Sequence, residues 1–477
     1  MNKLRALIFA LTITQSSSAQ SFLSNLKAKK NDAVYTTYAA PLERSQYKID
    51  QGYHLMWYDA EKGVNFESRD GGNLCLAFKY NGTIRSKLNE FHAEPVITAS
   101  YSDLVTFHYY PFEHLRVDVS FVVYSSQIAF QEISIENENT AAMDIDIYPY
   151  FESTPEPLQN ASYHPEFNGF HFPHVKPRDN WMIRHDIPLI EKMQSVFMLS
   201  TAPDSWRMYA IGSDSTKHAF FEDIKNEHLN RQQPESRQDI LVFHISRKLQ
   251  PGEAFSFRII RGIDSSKADL DELVRECKSV LEIDPADIIQ KNEKLYSKIP
   301  QIRFENPDHE MLYWNAFSLI RQCMMPPEGE CSYNYYVFSR EPKWGWGYGG
   351  QVFHESLVML AYAFMDPSSA MNSQRVFMER QWENGYINYR TGPYLNETIF
   401  YNGQHTTSAP WYNYQNLEIY KITGDDDFLK EAYQSGKKFY QFYVANRDSD
   451  GDGLCEWGGH AELESVRDAK VAVWDSV

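Results

Sequence analysis

The sequence predicts a multidomain protein, an N-terminal antiparallel β-sandwich followed by an all-α domain of helix hairpins. Three observations carry this. Between about residues 30 and 263, apolar residues recur with period two in short runs divided by turn residues. From about residue 304 they recur with period 3.6, as stripes along helices. At 477 residues the chain is also too long for one ordinary domain.

Residues 1–19 read as a signal peptide. Lys3 and Arg5 supply the charged start, Ala6 to Ile13 the apolar run, and Ser17-Ser18-Ala19 the small-residue cleavage site, so the mature chain is expected to begin near Gln20. That run is too short to span a bilayer, and no later segment approaches the needed length. The expected location is secreted or periplasmic.

In the sandwich part, Asp118–Tyr124, Ile128–Ile135 and Met143–Tyr150 read as strands, divided by a Ser-Ser turn and by Asn137-Glu-Asn-Thr140. Ile240–Ile245 and Phe255–Ile260, around Pro251-Gly-Glu, read as a closing hairpin. Leu270, Leu273, Cys277 and Val280 then mark a helix over Asp269–Leu281, and Pro285–Ser297 a second, which makes 264–303 a helical linker. From 304 to 477 the chain reads as helical. Leu357, Leu360, Ala361 and Phe364 share a face that ends at Asp366-Pro367, and a helix from Ser368 to about Trp382 follows. Another runs from Pro410 to Ile422, and Phe428, Ala432, Phe439 and Tyr443 line the next. The intervening loops are long and rich in Trp, Tyr, Asn and Gly, which suits an α/α toroid better than a short-looped bundle.

Composition bounds the partners. A net charge of −18, from 46 basic and 64 acidic residues, repels phosphate backbones, and no basic stripe interleaves with aromatics, so nucleic acid is an unsuitable partner. A neutral or cationic substrate is easier to hold. The 31 Tyr, 29 Phe and 10 Trp read first as an aromatic core and second as a surface for packing on sugar C–H groups. Cys75, Cys277, Cys323, Cys331 and Cys455 are odd in number and scattered; Cys323 and Cys331 are close enough in sequence to pair, but buried thiols without a disulfide scaffold are expected.

The most chemically pointed stretch is Asn446-Arg-Asp-Ser-Asp-Gly-Asp-Gly-Leu-Cys-Glu-Trp457. Asp448, Asp450 and Asp452 alternate, and Gly451 and Gly453 let the chain bend around a cation, as at the start of an EF-hand loop. Position twelve is Gly459 rather than Glu, with Glu456 at position nine. Against this stands a solvated acidic turn, since Asp-Gly repeats are common in loops.

Three segments, Thr407–Gly424, Asp448–Glu456 and Glu464-Ser-Val-Arg-Asp468, resemble glycoside hydrolase family 63, the mannosylglycerate-hydrolase-like α-glycosidases among its members. The resemblance covers about 306–477 and implies an (α/α)6 barrel behind a β-sandwich, with inverting hydrolysis of α-glucosides or α-mannosides. It implies that Asp468 is the general acid, in a pattern where Val466 stands for the family's glycine, with Arg467 beside it at the substrate. It further implies calcium held by Asp448, Asp450, Asp452, the Leu454 carbonyl and Glu456. Trp344–Glu355 takes the place of the family's Trp-Asp loop, so Trp346 is a ring-stacking candidate and His354 or Glu355 stands in for the missing aspartate. Trp411 is a second stacking candidate. Inversion also needs a base about 6.5–9.5 Å from the acid. The resemblance places that base beyond residue 477 and counts about half the barrel's helices here, so the expectation is a truncated toroid, inactive alone.

An oligosaccharide or small glycoside is the expected partner. Two other readings stay open: a glycoside phosphorylase, separated by phosphate dependence, and a non-catalytic carbohydrate-binding protein. No Gly-x-Ser-x-Gly elbow is present, and His354-Glu355 has Val358 where a zinc motif needs histidine.

Overall fold

The computed structural model describes residues 27–154, 158–176, 189–209, 237–337, 340, 350–388, 390–394, 396–397, 399–401, 404–406, 411–448 and 450–455. The signal-peptide segment lies outside them.

Two eight-stranded antiparallel sheets form the N-terminal part. One runs in the order Thr37–Ala39, Gly52–Leu55, Phe66–Ser68, Asn73–Tyr80, Met143–Glu152, Ile240–Leu249 and Ser205–Tyr209, with Thr83–Arg85 beside Asn73–Tyr80. The other runs Ser162–His164, Gly169–Val175, Lys192–Leu199, Ala254–Ser265, Ile128–Asn137, Leu115–Val123, Leu104–Phe112 and Ala93–Ser100. Period-two sequence makes a two-faced strand: Leu115, Val117, Val119 and Phe121 are buried while Arg116, Asp118 and Ser120 are only half-buried. The inward faces meet through aromatic rings, with Phe66 stacked on Phe121 at 3.7 Å and Phe170 against Phe243 at 4.8 Å. Much of the aromatic content is therefore core.

The expected closing hairpin does not form. Ile240–Leu249 pairs with Met143–Glu152 in one sheet, whereas Ala254–Ser265 pairs with Ile128–Asn137 in the other. The turn at Gly252, with φ of 73°, is an arch between the sheets. A turn signal marks where the chain reverses, and burial of each strand's apolar face decides which sheet it joins.

Seven helices follow among the described residues: α1 (Leu270–Ser279), α2 (Pro285–Tyr296), α3 (Pro307–Gln322), α4 (Val352–Met365), α5 (Pro367–Glu379), α6 (Trp411–Thr423) and α7 (Asp426–Asn446). Their starts follow from capping chemistry. Asp269, Asp284, Asn306, Asp366 and Asp425 each accept a backbone N–H from the first turn, and proline fills the first position of α2, α3 and α5. The helix expected to reach Trp382 ends at Glu379. Leu273, Cys277, Ile288 and Tyr296 pack with Tyr101 and Leu104 of the sandwich on one side and with Trp314 and Met359 on the other, so a single apolar cluster joins the two parts. Among the described residues no helix is long and apolar enough to cross a membrane. None of the five cysteines is in a disulfide; Cys455 is exposed, contrary to the expectation of buried thiols, because it lies on the open acidic loop.

Two polar pins cross the junction. Arg340 donates through Nε to Asp50 Oδ2 at 2.8 Å, through Nη1 to the Ala40 and Gln322 carbonyls at 2.8 and 2.9 Å, and through Nη2 to Ser45 Oγ at 3.1 Å and to Asp50 Oδ1. Arg321 Nη1 donates to Ser102 Oγ at 2.8 Å and lies 3.4 Å from Asp103, which also accepts from Asn292 at 2.9 Å.

One end of the sandwich carries a buried charged group of its own. Burial, with the Arg261 charge nearby, depresses the His174 imidazole from 6.5 to about 4. Burial alone would raise the Asp70 carboxyl, but Lys176, 2.5 Å away, brings it below its ordinary value. Both folded pKa values lie below those of the unfolded chain. Stability is therefore full above about pH 6.5 and falls as acid protonates His174 down to about 4, and Asp70 below its usual range. The His174 contribution is at most about 3 kcal/mol, less for its partial exposure. Denaturant midpoints at pH 7, 5.5 and 4 should fall more for the parent than for His174→Gln. Parallel curves would contradict this assignment.

Candidate functional site

The connections between helices are unequal. Only Asp366 separates α4 from α5, and only Gly424-Asp425 separates α6 from α7, whereas residues 323–351 link α3 to α4 and 380–410 link α5 to α6. Since α4 packs on both α5 and α6, and α6 on α7, the two hairpins lie side by side with every long connection at the same end. That end receives the N-termini of α4 and α6 and the C-termini of α3, α5 and α7.

The acidic loop leaves α7 there. The Arg447 N–H caps the helix on the Tyr443 carbonyl at 2.7 Å, and its guanidinium lies over the Phe442 ring. Gly451 and Gly453 then adopt φ of 73° and 87°, a left-handed conformation that favours glycine. The turn closes on its own carboxylates: Asp450 Oδ1 accepts from Asp452 N at 3.2 Å, Asp448 Oδ2 from Gly453 N at 3.2 Å, and Asp452 Oδ1 from Leu454 N at 2.7 Å. One oxygen from each of Asp448, Asp450 and Asp452 lies within 4.8 Å of the others. Asp448 Oδ1 is buried and accepts nothing. Three hard oxygens converging beside an orphaned buried one is a donor set that fits calcium. Leu454 is exposed next to it, and Glu456 lies outside the described residues.

The other expected residues divide as follows. Trp411 begins α6 at the loop-bearing end, 53% exposed, with Tyr414 edge-on at 6.0 Å. It is not core. His354 and Glu355 fall in the first turn of α4, at the same end, and their side chains are outside the described residues. Trp346, Arg467 and Asp468 lie outside them too.

Sequence reasoning missed a neighbouring feature. Trp382, Glu383 and Asn384 line an open cavity of about 360 Å³ at the end of α5. Their turn is fixed by Trp382 N to the Tyr386 carbonyl at 2.8 Å, Gly385 N to the Trp382 carbonyl at 2.9 Å, and Tyr386 N to Asn384 Oδ1 at 3.0 Å. Gly385, with φ of 95°, has no room for a side chain, since a Cβ would lie 2.2 Å from the Lys438 carbonyl. Tyr386 connects this turn to the acidic loop: its ring packs on Phe442 at 5.4 Å, and its hydroxyl, pushed up by burial, feels the Arg447 charge. The Trp-Glu-Asn-Gly run was the available signal, masked because Trp382 extends the α5 pattern. Nearby, the amides of Asn388 and Gln415 are buried with no hydrogen-bond partner, an arrangement that costs about 1–3 kcal/mol per group.

No protein-family model and no curated protein sequence matches the chain. Among solved structures, the chain is similar to a putative kojibiose phosphorylase from the human microbiome, at 11% identity and a TM-score of 0.45, over 89% of this chain and 54% of that one. It is also similar to an inverting mannosidase of glycoside hydrolase family 92 from Bacteroides thetaiotaomicron, at 9% identity and a TM-score of 0.40, over 93% of this chain and 67% of that one. A putative aldose 1-epimerase from Escherichia coli matches 48% of this chain over 99% of its own length, at 10% identity and a TM-score of 0.27. The chain thus spans about half the length of the phosphorylase it matches.

Proposed function

We propose that this chain belongs to an exported carbohydrate-active enzyme, an inverting α-glycosidase acting on α-glucosides or α-mannosides. The observation that carries the reading is that Trp411, the acidic loop and the first turn of α4 all lie toward the loop-bearing end of paired helix hairpins. Asp468 is the general acid, thirteen residues past the end of the described acidic loop at Cys455, and Arg467 and Trp346 contact the substrate. Trp411 offers an apolar ring face to a sugar, and His354 or Glu355 a polar group.

Calcium would be held by Asp448, Asp450, Asp452, the Leu454 carbonyl and Glu456, and it supplies no chemistry to the bond broken. Its role is to fix the exit from α7 and so the approach to Asp468. Asp448 Oδ1, buried without a partner, supports this. Calorimetry with calcium should give one saturable event that Asp450→Ala abolishes. At calcium one hundred times Kd, unfolding should cost about 2.7 kcal/mol more than in chelator. Equal heats from both proteins would return the loop to a solvated turn.

The reaction itself is tested by product stereochemistry. Proton NMR during cleavage of an α-glucoside or α-mannoside by the protein as its gene encodes it should show the β-anomer first. First appearance of the α-anomer would overturn inversion, and cleavage that requires inorganic phosphate would make the enzyme a phosphorylase.

A further inference from the structure

The turn that follows α5 is held more rigidly than a mere connection requires. Gly385 N donates to the Trp382 carbonyl and Trp382 N to the Tyr386 carbonyl, so Glu383 and Asn384 form the tip of a tight turn. Gln381 anchors its base. Its Nε2 donates to the Gly385 carbonyl at 2.9 Å and to the Ser435 carbonyl of α7 at 3.1 Å, and its Oε1 accepts from Ser435 Oγ at 2.9 Å. Ser435 Oγ also lies 3.1 Å from the Tyr412 hydroxyl of α6. Three helices therefore hold one short turn.

What this turn presents is not core. Trp382 is 41% exposed, with Tyr386 across its ring at 5.1 Å and 72°, and Glu383 and Asn384 stand exposed beside it. All three line the open cavity, whose volume of about 360 Å³ falls within the range of small-ligand pockets. The Asn384 amide is oriented, because its Oδ1 accepts from Tyr386 N at 3.0 Å. Among the described residues neither its Nδ2 nor the Glu383 carboxylate has a hydrogen-bond partner. An apolar ring, an amide donor and a carboxylate acceptor on one rigid tip complement a sugar, whose C–H groups pack on rings and whose hydroxyls both donate and accept.

We propose that Trp382, Glu383 and Asn384 form a subsite for a neutral hexose ring remote from the bond cleaved, an inference that rests on the glycosidase reading and makes the substrate an oligosaccharide. The turn opens the 380–410 connection, so it stands at the loop-bearing end with Trp411. Its cavity is open, whereas the reacting bond needs surroundings that exclude water, so the ring held here lies away from the chemistry. The lining carries one carboxylate and, among the described residues, no cation, which suits a neutral sugar over an acidic one.

Thio-linked maltotriose and thio-linked α-mannotriose, which resist cleavage, are the probes for calorimetry on the protein as its gene encodes it. At least one should bind saturably, and the stronger identifies the sugar. Trp382→Ala should weaken that binding about tenfold and Asn384→Ala several-fold, whereas Trp382→Tyr, which keeps a ring, should retain most of it. Both side chains are exposed, so the circular dichroism spectrum should be kept; if Trp382→Ala loses it, Asn384→Ala carries the same test. In turnover of the oxygen-linked trisaccharide, Trp382→Ala should raise KM about tenfold with kcat little changed, as expected where substrate and transition state are held equally. Absence of binding by both probes, or unchanged affinity in the folded variants, would overturn the subsite. A fall in kcat at constant KM would overturn its remoteness by placing Trp382 at the reacting ring. Binding that depends on Trp382, in a protein that cleaves no α-glycoside, would uphold the sugar site and refute the glycosidase reading instead.

Discussion

Asp50→Ala should destabilise the protein by about 3–5 kcal/mol, a large share of the stability of most domains. The reason is asymmetry. Arg340 and Asp50 are almost wholly buried, with side chains 2% and 3% exposed, and the guanidinium has no route to water. Removing the carboxylate leaves a desolvated cation, and the hydrogen bonds to the Ala40 and Gln322 carbonyls and Ser45 offset only part of that cost. Ser126 Oγ, 2.8 Å from Asp50 Oδ1, loses that acceptor as well and keeps only its contacts with the Gln46 backbone. The double change Asp50→Leu with Arg340→Met should recover most of the loss, because it buries no charge. Urea denaturation of the parent, both single variants and the double variant closes the cycle. Additive losses would mean that the two side chains act independently.

That pin shows what could be read from the sequence and what could not. Alternation over Leu115–Val123 and aspartate or asparagine before five of the seven described helices are local signals that match the elements formed. Asp50 and Arg340 are 290 positions apart, and nothing in either neighbourhood names the other. The hairpin expected between Ile240–Ile245 and Phe255–Ile260 failed for a related reason, since a turn residue reports reversal and not partner choice. The acidic loop was legible because its donors are two residues apart, so spacing alone brings them together. Trp411 was legible as a residue of interest, but only the fold shows that it begins a helix at the loop-bearing end and stands exposed.

The second large effect concerns the chemistry. An acid that protonates the departing glycosidic oxygen contributes about 10²–10⁴-fold to turnover. Asp468→Asn keeps the side chain's size and removes its transferable proton. The loss should therefore depend on the leaving group: full for alkyl glycosides and disaccharides, whose departing oxygen is basic, and small for glycosyl fluorides. A residue that merely holds the fold would slow every substrate alike. On the proposed role of calcium, its removal should act through Asp468 and follow the same pattern, lowering turnover of disaccharides more than that of fluorides.

The most direct measurement is the ratio of turnover by parent and Asp468→Asn, in the protein as its gene encodes it, on an α-linked disaccharide and on the matching α-glycosyl fluoride. The account predicts a ratio of about 10²–10⁴ for the disaccharide and one closer to unity for the fluoride. Full activity of Asp468→Asn on the disaccharide would contradict it.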